Sequence, residues 1–477
     1  SAGIDPKTMV DLTDRIRPDG TLDWQPPTGR WKIVRVGWTT CGHAAAPSVA
    51  NARFYLIDPL QEGAVEAHWQ GYPHSMISRF GPEAGGAITA VETDSWEAGN
   101  LNWTKGFAAE FEKRRGYSLA RYWPVLAGGH VVGDALESER FLRDFRLTLA
   151  ELISENYYGE AARLAKQDGV EYWAESAGRQ QLLDHPTEYM RHATVPMGET
   201  WMGNTPRPDN RGAASMAHFY GNRRVGCETF TSGMPYATYD YLPFDYKQLG
   251  DETLLEGINN ITLHMNLLDP YPGNGPGLTA GDTGSSFNSG VTWWGAPARG
   301  WTDYLARCQH LLRQGRNVAD ILYFAGEDFP AELPGRGTWD PAKEHILQGS
   351  IPIPGAEPSP VMNPEIPRSM EFDVCGPAEL LKHLTVGSDG MLQSPGGARY
   401  RFLMLRDWPT MAPEVARKVA ELVESGATVI GPPPLRVPGL KDLERSQAIV
   451  DTVRRKLWAT DDPEAVVDRR VGRGRVI

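Results

Sequence analysis

Four glutamates in this 477-residue chain each stand at the C-terminal end of a short apolar run. They are Glu97 in Asp94-Ser-Trp-Glu-Ala-Gly99, Glu175 in Ala-Glu-Ser-Ala-Gly, Glu199 in Pro-Met-Gly-Glu-Thr-Trp201 and Glu228 in Cys-Glu-Thr-Phe-Thr-Ser232. A charged residue just after an apolar strand points into the mouth of a parallel α/β fold. Asp94 adds a further carboxylate beside Glu97, with Trp96 between them. Glycoside cleavage needs two such groups: a protonated carboxyl to assist the leaving oxygen, and an ionised one to activate water or attack carbon. Crowding of like charges raises the pKa of one member and so supplies the acid. Ion pairing or structural hydrogen bonding is the plainer role for any one of the four, and it is expected for Glu175. His264, at the end of the last such strand, either binds a hydroxyl, shuttles a proton or serves the fold alone. Other chemistries lack their residues: there is no HExxH, no phosphate-cradling glycine loop and no GxSxG elbow.

The elements that must position these groups follow from periodicity. Ile88–Val91 reads as a buried strand, and Phe107 and Phe111 at helical spacing open a helix that Thr104 is placed to cap. Strands recur at Val170–Ala174, Thr194–Met197, Arg224–Cys227 and Asn260–Leu263, with helices over Gly63–Arg79, Glu137–Gln167 and Trp301–Gln314. That repeat is the mark of an α/β protein built on a (β/α)8 TIM-type barrel, here residues 61–316. Only five barrel strands are legible, so a closed barrel requires N-terminal strands lying outside this chain. Residues 1–60 read as the end of a β-domain, with strands at Thr21–Trp24 and an alternating run over Trp31–Trp38. Residues 317–477 read as a small doubly wound, flavodoxin-like α/β domain. Its strands are expected at Val318–Phe324, Arg401–Leu405 and Ala427–Ile430, with a helix over Pro413–Ser425. The Pro- and Gly-rich stretch 330–370 is a loop, and Gly431-Pro-Pro-Pro lacks a dinucleotide fingerprint and is expected to be structural.

Bulk properties remove several classes of function. A net charge of −12 disfavours nucleic-acid and anionic membrane partners, which call for clustered Lys and Arg. No apolar run approaches the ~18 residues of a membrane span. Four cysteines without CxxC spacing exclude a disulfide scaffold and a zinc knuckle. The 15 Trp and 17 Tyr, many beside Gly, Asn, Asp or Pro, suit either stacking on sugar rings or filling a barrel core. The chain looks trimmed at both ends, so its lack of a targeting segment carries no message about export.

Asp94-Ser-Trp-Glu-Ala-Gly99 with Asn102-Trp-Thr104, Arg114-Arg-Gly-Tyr117, Glu139-Arg-Phe-Leu-Arg-Asp-Phe145, Val195-Pro-Met-Gly-Glu-Thr-Trp201, Glu228-Thr-Phe-Thr-Ser232 and Thr292-Trp-Trp294 together resemble glycoside hydrolase family 106, the α-L-rhamnosidases. The resemblance runs from about Val10 to the end. It implies a barrel active site that inverts anomeric configuration, often with calcium beside the sugar hydroxyls and no organic cofactor. It implies Glu97 as general acid and Glu228 as general base, with Glu199 lining the pocket and binding sugar or metal. It also implies a longer, usually exported parent protein. Two departures stand out: Ile57-Asp58-Pro59 replaces a Cys-Asp-Lys stretch, and Leu268, before Asp269-Pro270-Tyr271, replaces a second His four residues beyond His264.

The expected activity is therefore an inverting exo-glycosidase releasing a terminal deoxy sugar, most simply α-L-rhamnose, from a carbohydrate partner. Trp96, Trp103 and Trp201 would wall the ring, and Glu199, Glu175, Asp94 and His264 would bind it. The competitors are a retaining enzyme with Glu228 as nucleophile and a non-catalytic sugar-binding relative. Carboxyl separation distinguishes inversion, about 6.5–9.5 Å, from retention, about 5–5.5 Å.

Overall fold

The structure is a computed structural model, and the residues it describes are 3–40, 42, 56–96, 101–175, 185–202, 208–232, 241–266, 287, 293–329, 366–367, 369–462 and 465–477. The apolar runs pair as a five-stranded, wholly parallel sheet: β1 (Ala90–Thr93), β2 (Glu171–Glu175), β3 (Val195–Trp201), β4 (Gly226–Thr231) and β5 (Asn260–Leu263). Spatial order equals chain order, with helices between strands, as in consecutive βα units of a curled sheet that makes half a barrel. β1 begins two residues later than the apolar run suggests. Ile88 instead gives its N–H to the Phe80 carbonyl at 2.7 Å, and pairing with β2 starts at Ala90.

Side chains alternate across each strand, so the register sorts the sheet into two faces. Tyr172, Ala174 and Cys227 lie on the convex face and are fully buried under helices. Glu92, Asp94, Trp173, Glu175, Met197, Glu199, Trp201, Glu228, Thr262 and His264 share the concave face by register.

The expected long helix over Glu137–Gln167 is two helices, Ala135–Ile153 and Glu160–Gln167, joined by a π-helical turn over Ser154–Gly159. There the Ser154 hydroxyl donates to the Glu188 carbonyl at 2.9 Å. The helix Phe107–Arg115 starts after Gly106, whose φ of 85° suits glycine. Thr104 does not cap it; its hydroxyl donates to Asp58 Oδ2 at 2.6 Å.

Residues 1–60 depart from expectation. Among their described residues there is no strand, only 3-10 turns at Pro6–Thr8 and Thr13–Arg15 and isolated bridges Ile4–Val132 and Ile16–Leu22. Trp31–Trp38 alternates as a strand should but forms no ladder, and Trp31, Ile33, Val36 and Trp38 are exposed. Alternation becomes a strand only when a neighbouring backbone accepts its hydrogen bonds.

A second sheet has six strands in the order Arg469–Val471, Gly474–Val476, Thr428–Ile430, Phe402–Leu405, Ile321–Phe324, Phe372–Cys375. All neighbours are parallel except Arg469–Val471 against Gly474–Val476. The reversal of chain order beside Ile321–Phe324 is that of a doubly wound sheet. Its edge strand Phe372–Cys375 is covered by the helix Pro208–Tyr220, which follows β3. Val374 N–H donates to Ser215 Oγ at 2.8 Å, His218 Nδ1 lies 2.8 Å from Asp373 Oδ1, and Arg211 pairs with Glu371 at 2.7 Å. Ala213, Met216 and Phe219 from this helix share one apolar cluster with Leu322, Leu403 and Val429, so the two sheets are packed around a common core. Gly431 has the structural role expected of it. Its N–H donates to the Ile477 carbonyl at 3.0 Å, and its carbonyl accepts from the Trp458 indole at 2.8 Å.

Candidate active site

The concave face gathers carboxylates at the C-terminal ends of β1 to β4. Parallel pairing puts Glu199 directly opposite Glu228, and Glu175 and Asp94 lie on the same face one and two strands further on. Carboxylate oxygens of Asp94, Glu175 and Glu228 all lie within 4.8 Å of one another. Glu97, the expected acid, lies outside the described residues, as do Leu268, Asp269, Pro270 and Tyr271.

Glu228 is one of the three whose oxygens converge. Burial pushes its carboxyl up to about 7 against the pull of the Thr231 hydroxyl, which donates to Oε1 at 2.6 Å; Glu199, Asp94 and Glu92 push it further up. The Thr231 contact depends on Phe230, a buried residue with φ of 69°. This left-handed turn is costly for a side chain with a Cβ. Aromatic packing holds it, with the Tyr246 ring at 5.1 Å and the Trp301 ring at 5.4 Å. His264 Nδ1 lies 3.5 Å from Glu228 Oε1, beyond a good hydrogen bond, and burial lowers its pKa.

Among the described residues Glu175 makes neither the ion pair nor the hydrogen bond expected of it. It is 1% exposed, and neither carboxylate oxygen has a hydrogen-bond partner among the described residues. Burial first, then the charges of Glu228, Asp94 and Glu199, hold its pKa well above the ordinary carboxylate range. A carboxyl so placed is either neutral or waits for a cation. Glu199 Oε1 accepts from the Trp201 indole N–H, which a register shift between Thr200 and Trp201 brings back toward the strand.

The three tryptophans expected to wall the sugar divide. Trp201 belongs to the site. Trp96 is 7% exposed and sits edge-on to Tyr157 at 5.7 Å, inside the core beneath β1. Trp103 packs against Phe107 at 5.0 Å and Trp123 at 5.3 Å. Trp96 is a correction: a large apolar ring next to a helix was taken by its core, whereas Trp103 stays partly exposed.

Glu92 was missed. It precedes Asp94 by two residues, so the period of the strand puts it on the same face. Loss of surrounding water and the Asp94 charge raise its pKa. The available signal was the alternation itself, hidden because the strand seemed to end at Val91.

None of the strand positions on this face carries Lys or Arg. Among the described residues, Arg224 and Arg313 approach the sheet at the opposite, N-terminal end, where Arg224 pairs with Glu171 and Arg313 donates to Asn260 Oδ1 at 2.8 Å. The mouth is therefore an acidic, aromatic-edged hollow able to hold a proton at Glu228, to bind hydroxyls and to accept a hard cation.

Comparison with known proteins agrees with this geometry. Residues 1–340 and 359–477 match the family model of glycoside hydrolase family 106, alpha-L-rhamnosidase. The chain is 30% identical in sequence to the structure of a rhamnosidase from Novosphingobium sp. PP1Y, superposing with a TM-score of 0.80 over 100% of this chain and 44% of that one. It is also 32% identical over 462 residues to a provisionally named beta-glucuronidase of Formosa agariphila, covering 96% of this chain and 36% of that protein. The chain thus spans well under half the length of either relative. No helix of the described residues is long and apolar enough to cross a membrane. On the family match over nearly its whole length and the shared fold, the chain belongs to glycoside hydrolase family 106.

Proposed function

We propose that this chain carries the catalytic face of an inverting exo-glycosidase that releases terminal α-L-rhamnosyl, or closely related deoxy-sugar, residues from a glycan or glycoside. The observation that carries this reading is Glu228: a carboxyl raised toward neutrality, oriented by Thr231, within a carboxylate cluster on the concave face. Glu228 takes the proton of the attacking water, and Glu97 protonates the leaving oxygen. Glu199, oriented by Trp201, and His264 bind sugar hydroxyls. The reading also takes residues 61–316 as part of a (β/α)8 barrel completed by strands elsewhere in the parent protein. Residues 317–477 form the flavodoxin-like domain, and the parent is exported; fractionation of the native host tests the last point.

Calcium, which the family implies, suits the residues present. Asp94 and Glu175 would hold it beside the Glu228 carboxylate, because their oxygens converge and those of Glu175 are buried with no hydrogen-bond partner among the described residues. Glu199, the expected ligand, stands outside this group. When bound, the ion would neutralise the cluster and bind sugar hydroxyls.

The Formosa relative raises a second reading, hydrolysis of a glucuronide. The described strand positions give it no support, since none carries a Lys or Arg to pair with a uronate carboxylate.

The deciding experiment is hydrolysis of aryl α-L-rhamnoside and aryl β-D-glucuronide, with NMR of the first-formed anomer and Glu97→Ala and Glu228→Ala alongside. The proposal expects β-rhamnose first and loss of activity in both variants. α-Rhamnose first would mean retention with Glu228 as nucleophile. Cleavage of the glucuronide alone, or binding without release, would end the rhamnosidase reading.

A further inference from the structure

The convex side of the sheet directly behind the two facing glutamates is polar, although it is buried. Asn210, from the helix Pro208–Tyr220, is fully buried there. Its amide Nδ2 donates to Thr200 Oγ1 at 3.2 Å and to Glu256 Oε2 at 2.8 Å, and its Oδ1 accepts from Cys227 Sγ at 3.3 Å. Thr200 Oγ1 and Cys227 Sγ are themselves 3.1 Å apart. Thr200 immediately follows Glu199 and Cys227 immediately precedes Glu228.

We propose that Asn210 is a positioning residue, holding β3 and β4 in the register that sets Glu199 opposite Glu228. The inference rests on the reading of Glu228 as general base. Successive strand residues point to opposite faces, so a displacement of Thr200 or Cys227 on the convex side moves its neighbouring carboxylate on the concave side. The ladder of β3 and β4 runs in register through Thr200 opposite Thr229 and then shifts by one residue, so that Trp201 faces Thr231. Asn210 pins the strands at that point. The close seat is built in: a Cβ on Gly198 would come within 2.1 Å of Asn210 Oδ1, so only glycine lets the helix approach. An amide is required because the site asks for donors toward Glu256 and Thr200 and an acceptor toward Cys227. An apolar side chain of the same size would take the amide donor from Glu256 and leave Thr200 and Cys227 to bond each other alone across the strands.

The test compares Asn210→Asp, Glu256→Gln, their combination and Glu228→Gln in the full protein, on an aryl α-L-rhamnoside. Asn210→Asp sets a second carboxylate against Glu256, and kcat is expected to fall about ten- to a hundredfold with KM within about twofold. In the combination the amide introduced by Glu256→Gln donates to the carboxylate introduced by Asn210→Asp, as do Thr200 and Cys227, and kcat is expected to return to within about threefold of the parent. A merely structural network would lower thermal stability and leave the kcat of the folded fraction unchanged. The proposal is overturned by a kcat within about twofold in Asn210→Asp, or by a double variant that fails to fold or folds with kcat still depressed. If Asn210→Asp does not fold, the double variant decides alone. Full activity in Glu228→Gln would instead remove the base assignment, a failure separate from that of Asn210.

Discussion

The Thr231 hydroxyl reaches back to Glu228 Oε1 at 2.6 Å only because Phe230 between them turns left-handed. A hydrogen bond donated to the charged form both orients that carboxylate and opposes the burial that raises its pKa. Thr231→Val keeps the shape and removes the donor, and kcat is expected to fall about tenfold, whereas Thr231→Ser retains most of it. Steady-state kinetics of the two variants side by side checks this. Equal activity in the two variants would show that the contact does nothing for the reaction.

The Asp94, Glu175 and Glu228 group predicts a stabilising cation. Calcium at a hundred times its Kd should stabilise the protein by about 2.7 kcal/mol if it binds the folded state alone. Thermal melts with calcium and with chelator read this directly. Glu175→Gln, isosteric and neutral, should abolish most of the calcium increment without unfolding the protein. A melt unmoved by calcium would exclude that cation from the cluster.

Stability should fall as pH rises from about 4.5 to about 7. Burial raises the carboxyls of Glu256 and Glu327 to about 7, above their ordinary range. Below that ordinary range both folded and unfolded chains hold these protons, so the folded state has its full stability. As pH rises through the window the unfolded chain gives up its protons first, and each group then costs on the order of 3 kcal/mol. Denaturant titrations at pH 5 and pH 8 measure the difference. Glu327→Gln should shrink it, and an unchanged difference would mean that this carboxyl is not what the pH dependence reports.

The helix Pro208–Tyr220 clamps the edge strand of the second sheet, and both sheets share one core. The chain should therefore unfold in a single cooperative transition. Ser215→Ala leaves the Val374 N–H buried without its partner and should cost about 1–3 kcal/mol while leaving kcat unchanged. Two resolved transitions in calorimetry would contradict the shared core.

Much of this was legible in the chain itself. The strands carrying Glu175, Glu199 and Glu228 were readable from their apolar starts, but β3 and β4 run on past their glutamates to Trp201 and Thr231, because the pairing between them continues beyond the apolar run. The helix Pro413–Ser425 showed its own start and stop in Pro413 and Gly426. The run Trp31–Trp38 was misleading because pattern shows what a strand can bury, not whether a partner is present. Trp96 looked like a ligand wall because composition cannot say which ring faces a helix has already covered.

The sequence by itself determined the parallel α/β class, the family and the kind of chemistry, because these depend on residue type and on local periodicity. Tertiary structure decided which carboxylates meet. Glu92 joined the cluster through strand phase, and Glu175 is a buried acid with no hydrogen-bond or ion-pair partner among the described residues. Asn210 acquired its place from a helix seated over Gly198. Each of these depends on distances between residues on different elements, and only the register of the strands and the packing of helices against them set those distances.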